Sequence, residues 1–177
     1  MVVSFSFIQL AGQEPTFSKG DKVLNLGIGF GTTLYSGSYY KMQMPPVSVS
    51  FDVGAFDNIA KKGVIGIGGY LGYSRYKYEY SSWGWKYSNI IIGGRGTFHY
   101  PLVDKLDTYG GMLLGYNIST SKEFGTATPG YDYHASSGGV VYALFVGARY
   151  YFTDNFAAMA ELGYGITFLN LGISFKF

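Results

Sequence analysis

Six ionisable residues stand singly among small and apolar neighbours: Asp52, Arg95, Asp107, Arg149, Glu161 and Lys176. Each lies in a stretch that alternates apolar and polar residues, and each takes the side opposite the apolar one. An arginine and a glutamate turned toward one enclosed space must neutralise each other, because a charge buried without its partner costs about 3–5 kcal/mol. Arg95, Arg149 and Glu161, with Asp107 and Tyr109 nearby, are therefore expected to form a structural ion-paired network. The same groups in a wet channel would pass protons or small solutes, which makes a narrow pore the alternative.

The two histidines, His99 and His134, fall in segments expected at opposite ends of the molecule, and neither has ligand spacing to other histidines or carboxylates. No metal site is expected. His134 with Ser136, and with Glu123 or Asp132 to orient the ring, has the residue types of a lipid hydrolase. A polar loop is a poor place to hold that geometry, so no catalytic residue is assigned and the chain is expected not to be an enzyme. The run Gly66-Ile-Gly-Gly-Tyr-Leu-Gly72 imitates a dinucleotide loop, but Leu71 occupies the third glycine position and no helix follows. No cofactor is expected.

What must position these residues is a series of strands. Period-two alternation begins at Asp21 and recurs about eight times, for example Leu24, Leu26, Ile28 and Phe30 against Asn25, Gly27 and Gly29, and Val140, Tyr142, Leu144 and Val146 against Ala143, Phe145 and Gly147. The connections at 56–63, 101–105 and 153–155 are short, whereas those at 35–46, 81–84 and 119–138 are longer excursions. Tight turns at one end and long loops at the other are the pattern of a transmembrane barrel. A soluble barrel would carry many Lys and Glu on its second face; these strands carry mostly Gly, Ser, Asn and Thr there. The apolar face ends in rings: Tyr73, Tyr116, Tyr142 and Tyr164 at the loop end, Tyr100, Tyr150, Phe152, Phe156, Phe175 and Phe177 at the turn end. Two aromatic belts flanking an aliphatic band mark the two interfaces of a bilayer.

Composition agrees. The 27 glycines follow no collagen period and are explained by a lumen only just wide enough for side chains. With 13 Lys plus Arg against 11 Asp plus Glu, and no basic cluster beyond Lys61-Lys62, nucleic acid is not an expected partner. No run of 18 apolar residues is present, so no transmembrane helix is expected. Residues 1–12 read as the remnant of a secretory signal peptide, 13–21 as a polar lead and 22–177 as the barrel. No cysteine is present, which removes disulfides and thiol chemistry.

The stretch Gly147-Ala-Arg-Tyr-Tyr-Phe-Thr-Asp-Asn-Phe-Ala-Ala-Met-Ala-Glu-Leu-Gly-Tyr-Gly165 and the terminal Leu169-Asn-Leu-Gly-Ile-Ser-Phe-Lys-Phe177 resemble the small eight-stranded outer-membrane barrels of Gram-negative bacteria, of the OmpX and OmpA transmembrane-domain type. The resemblance implies an all-β, antiparallel up-and-down transmembrane barrel, with loops extracellular and both termini periplasmic. It also implies that Phe175 and Phe177 belong to the signal read by the barrel-assembly machinery. The bilayer and lipopolysaccharide are the implied surroundings, and other outer-membrane proteins are possible partners. No signature of an adhesin subfamily or of a lipid A enzyme is matched.

The most distinctive segment is 73–87, where Arg75, Lys77 and Glu79 take positions that face lipid lower down, so the hairpin must have left the hydrocarbon. Tyr76, Tyr78, Tyr80, Trp83, Trp85 and Tyr87 are expected to form an exposed aromatic face with free edges, suited to a protein, glycan or lipopolysaccharide headgroup. The expected function is therefore non-enzymatic: a cell-surface barrel presenting its loops, or a small subunit of a larger outer-membrane complex.

Overall fold

Alternation fixes which side of each strand faces inward, and register then fixes which strands can close. The structure, a computed structural model, describes residues 16–32, 34, 39–80, 83–125 and 134–177. It contains the strands β1 (Lys22–Phe30), β2 (Tyr40–Ile59), β3 (Gly63–Tyr80), β4 (Trp83–Val103), β5 (Leu106–Phe124), β6 (His134–Tyr151), β7 (Phe156–Tyr164) and β8 (Leu169–Lys176). Each pairs antiparallel with the next, and β8 returns to β1 from Val23↔Lys176 to Phe30↔Leu169, so the sheet is a closed eight-stranded barrel. The proposed leader 1–12 and the first part of the polar lead lie outside the described residues.

The barrel is polar inside and apolar outside. Val140, Leu114 and Val146 are 73%, 62% and 62% exposed, whereas Asp52 and Arg149 are fully buried. Such a surface is solvated by hydrocarbon and not by water. Outward rings bound it below: Tyr150, Phe152, Phe156 and Phe175 follow one another with centroids 5.4, 6.1 and 5.4 Å apart. Above, Tyr116, Tyr142 and Tyr164 are half exposed or more. From Tyr142 to Tyr150 on β6 is about 26 Å of strand, or about 20 Å of height at the usual tilt, close to the apolar band of such barrels.

The strands are unequal. β7, β8 and β1 have 9, 8 and 9 residues, while β2 to β6 have 18 to 21. The sequence assigned 40–46, 119–124 and 134–138 to loops; they are strand, because each polar stretch hydrogen-bonds a long neighbour, as in Tyr40↔Tyr78 and Lys122↔His134. β2 accommodates Pro45 and Pro46 because its pairing with β1 stops at Ile28↔Val47 and its ladder with β3 is irregular between Met44 and Val47, so neither neighbour requires a donor there.

Candidate functional site: a charged lumen below an aromatic extension

Seven strands, all but β3, contribute to one buried polar layer. Asp52 on β2 contacts both arginines: Arg95 Nε lies 3.1 Å from its Oδ1, off the hydrogen-bond line, and Arg149 Nη2 donates to its Oδ2. Arg95 Nη2 donates to Glu161 Oε1 at 2.8 Å, and Arg149 Nη1 to Asp107 Oδ2 at 2.9 Å. Tyr109 donates its hydroxyl to Glu161 at 2.9 Å, and Asn170 its amide to the same carboxylate at 3.2 Å. Each guanidinium also lies over a ring at 4.5 Å, Arg95 over Phe145 and Arg149 over Tyr109. The small residue at 147 makes this stacking possible: a Cβ there would stand 2.7 Å from the Tyr109 ring and 2.9 Å from Glu161 Cγ.

Arg95, Asp107, Arg149 and Glu161 are thus brought together with Tyr109. Asp52 and Asn25 complete the layer, and the sequence did not place them in it. Asn25 accepts from Arg149 Nε at 3.0 Å and from Ser174 at 2.7 Å, and donates to Asp52 and Ser50. The available signal was their inward position in the alternation; which inward residues meet across the lumen depends on stagger.

The layer is closed on both sides. Below it, residues from the polar lead turn into the barrel mouth, where Phe17 is 2% exposed and stacks on His99 at 4.0 Å. The His99 ring bonds Asp107 and Thr97, each at 2.8 Å. Lys176 is inward too, donating to the Thr16 carbonyl at 3.1 Å. Above the layer, Ile91, Leu113, Ala143 and Ile166 form an apolar plug, the last delivered by the β7–β8 turn, whose carbonyl at 166 accepts from Thr32 at 2.8 Å. The space left beside Arg95, Glu161 and Tyr70 is about 30 Å³, room for about one water molecule.

The aromatic hairpin needs correction. Tyr76 is buried at 2% exposure, and Tyr78, Trp83, Trp85 and Tyr87 are half-buried. The Tyr80 side chain lies outside the described residues. Tyr76, Tyr78, Trp83, Trp85 and Tyr87 continue the inward alternation of β3 and β4, so they line the concave face of a five-stranded extension formed by β2 to β6. Tyr40, Tyr78 and Tyr87 cluster with centroids 5.4–6.1 Å apart, Trp83 meets Trp85 edge to face at 6.1 Å, and the Trp83 indole donates to Glu123. The hairpin has no free edges, since β2 and β5 flank it; among the described strands, β1 pairs with β2 only from Val47 onward and β7 with β6 only from Leu144 onward, so the outer edges of the extension are the upper parts of β2 and β6.

Of the hydrolase candidates, the two whose side chains are described lie on opposite faces of the sheet. Glu123 is in register with Trp85 on the concave face, and Ser136 with Thr120 on the convex one. Asp132 and the His134 side chain lie outside the described residues. Phe175 and Phe177 are outward and 38% and 64% exposed at the lower rim. No cluster of three or more potential metal ligands occurs among the described residues.

The fold is that of the small eight-stranded outer-membrane barrels. The chain is similar to the N-terminal β-barrel domain of Pseudomonas aeruginosa OprF (15% identity, 90% of this chain and 98% of that one, TM-score 0.51). It is also similar to Ail, the attachment invasion locus protein of Yersinia pestis, in a complex with the heparin analogue sucrose octasulfate (15% identity, 90% and 99%, TM-score 0.55). A third is the outer membrane protein OprG of Pseudomonas aeruginosa (11% identity, 93% and 99%, TM-score 0.55). No family model matches the sequence, and no curated protein does.

Proposed function

We infer that the protein is a non-enzymatic outer-membrane barrel that presents the five-stranded extension beyond the bilayer as a recognition surface. The unequal strands carry this reading: β2 to β6 outrun β7, β8 and β1 by roughly ten residues, which is far more than a span requires. Rings along the concave face and the upper edge of β6, which pairs with no described strand on its β7 side above Leu144, offer stacking and strand pairing to a ligand. The filled lumen argues for a scaffold and against a conduit. In this reading the loops are extracellular, the termini periplasmic, and the outward Phe175 and Phe177 serve recognition by the assembly machinery; lipopolysaccharide and other outer-membrane proteins are its neighbours.

The test is refolding the full chain into vesicles and screening glycans and extracellular proteins for binding, with Trp85→Ala and Tyr78→Ala as variants. Binding that disappears in the variants while the folded, heat-modifiable barrel persists supports the reading. Binding that survives both substitutions removes the extension from the account.

A further inference from the structure

Antiparallel register aligns residues that lie far apart in sequence. On the convex face of the extension, Lys41 pairs with Lys77, Lys77 with Lys86, and Lys86 with Lys122. Four lysines therefore form one row across β2, β3, β4 and β5, with neighbouring Cβ atoms about 5 Å apart. Arg75 lies one row below on the same face. Like charges directly opposite one another destabilise a sheet, so this row calls for a counter-anion.

The chain supplies one. Glu79 lies 2.8 Å from Lys77 and 3.9 Å from Lys41, and the hydrogen bond from Lys77 holds its carboxyl below the usual range. Phe124 offers its ring to Lys77 and Lys86 at 4.4 and 5.3 Å. Among the described residues, no carboxylate is ion-paired with Arg75, Lys86 or Lys122. Lys41, Lys86 and Lys122 are exposed.

Directly below, the outward face is grooved. A cleft of about 690 Å³, lined chiefly by Leu26, Ile28, Val49, Leu71 and Leu171, crosses the β8-β1-β2-β3 wall and reaches Tyr73 and, beside it on β4, Ile90. The Tyr73 hydroxyl accepts from Arg75 at 2.8 Å. From Tyr73 to Lys77 is about 13 Å along the strand, so the groove runs straight into the basic row. An apolar cleft capped by an excess of cations complements a molecule with hydrocarbon below and several negative charges above.

We propose that this face binds one phosphorylated, multiply acylated lipid of the surrounding leaflet, an acyl chain lying in the groove and the phosphates against Arg75 and the lysine row. The site rests on the reading of the chain as a membrane barrel. Its features separate it from a general affinity for lipid: the headgroup needs more than one phosphate, and the acyl contact is local.

The experiment reconstitutes the full chain in phosphatidylcholine nanodiscs containing bisphosphorylated lipid A at a few mole per cent, and measures retained lipid by native mass spectrometry. Lipid A is expected to be retained in preference to phosphatidylglycerol. Lys77→Gln with Lys86→Gln should weaken retention about thirtyfold, each lysine contributing roughly fivefold near an anionic headgroup. Glu79→Gln, which frees Lys77 and Lys41 from their internal anion, should strengthen it about fivefold by the same measure. Val49→Phe, filling the groove from a lipid-facing position, should reduce retention of lipid A without changing capture of its soluble de-acylated headgroup. Equal retention by wild type and the lysine variant overturns the site, as does soluble sucrose octasulfate bound in preference to lipid A, which would assign the row to a sulfated glycan. A chain that forms no heat-modifiable barrel in phosphatidylcholine alone refutes the membrane reading and this site with it; a barrel that inserts and ignores lipid A refutes the site alone.

Discussion

Arg149 and Asp52 meet across the full width of the barrel: β6 and β2 stand opposite one another in the ring of eight, and the guanidinium of one donates to the carboxylate of the other. The contact is a tie between facing walls. It is also one of three, since Arg149 directs Nε to Asn25 and Nη1 to Asp107.

The two ends of this tie are not equivalent. The layer holds two guanidiniums and three carboxylates, so Asp52→Asn leaves the charges balanced, while Arg149→Met leaves three carboxylates facing Arg95 alone. Arg149→Met should destabilise by about 3–5 kcal/mol, the cost of a buried uncompensated charge. Asp52→Asn should cost about 1–3 kcal/mol, the loss of hydrogen bonds to charged donors. Arg149→Lys should recover little, because a lysine cannot reproduce three donors aimed in three directions. Denaturant unfolding in vesicles measures all three, and equal costs for the two ends would refute the charge arithmetic.

Gly147 tests the packing of the same layer. A valine there would drive two further carbons into the Tyr109 ring and Glu161, both of which also contact Arg149 or Arg95. Gly147→Val should cost about 1–3 kcal/mol by overpacking. Tyr109→Ala in the same chain should relieve part of that cost, which a double-mutant cycle reads as a coupling between the two positions.

Much of this architecture is legible in the alternation. Asn25, Asp52, Arg95, Asp107, Arg149 and Glu161 all read as inward from sequence, because a strand has only two faces. The meeting of Asp52 with both arginines does not, because it depends on barrel stagger, which period-two alternation does not encode. The Tyr and Trp positions of 76–87 show why a correct pattern can still be misassigned. Their alternation was plain, but whether the inner face stays covered above the bilayer depends on how far β2 and β5 rise beside it. Residues 16–20 carry no periodic signal, so nothing foretold that Phe17 would turn back beneath His99.

The turn between β4 and β5 stores strain that can be removed. Lys105 has φ 61°, a left-handed conformation that a side chain disfavours by about 1–2 kcal/mol. Lys105→Gly should stabilise the barrel by about 0.5–1 kcal/mol, less than the full relief because glycine also gains freedom in the unfolded chain. A denaturation midpoint that falls instead would show that the lysine makes a compensating contact in the native turn.

Two seals in series predict how the lumen behaves when either is opened. Phe17 closes the lower mouth against His99, and the Ile91, Leu113, Ala143 and Ile166 plug closes the upper, with the charged layer between them. Phe17→Ala removes a buried ring and should cost about 3 kcal/mol of stability. It should nevertheless produce no conductance steps in planar bilayers, because an ion entering from below still meets the ion-paired layer and then an apolar constriction. Ile166→Gly alone should be silent for the converse reason. Steady conductance from wild type or from either single variant would mean that the lumen is continuous with water, and would return transport to consideration as the role of the barrel.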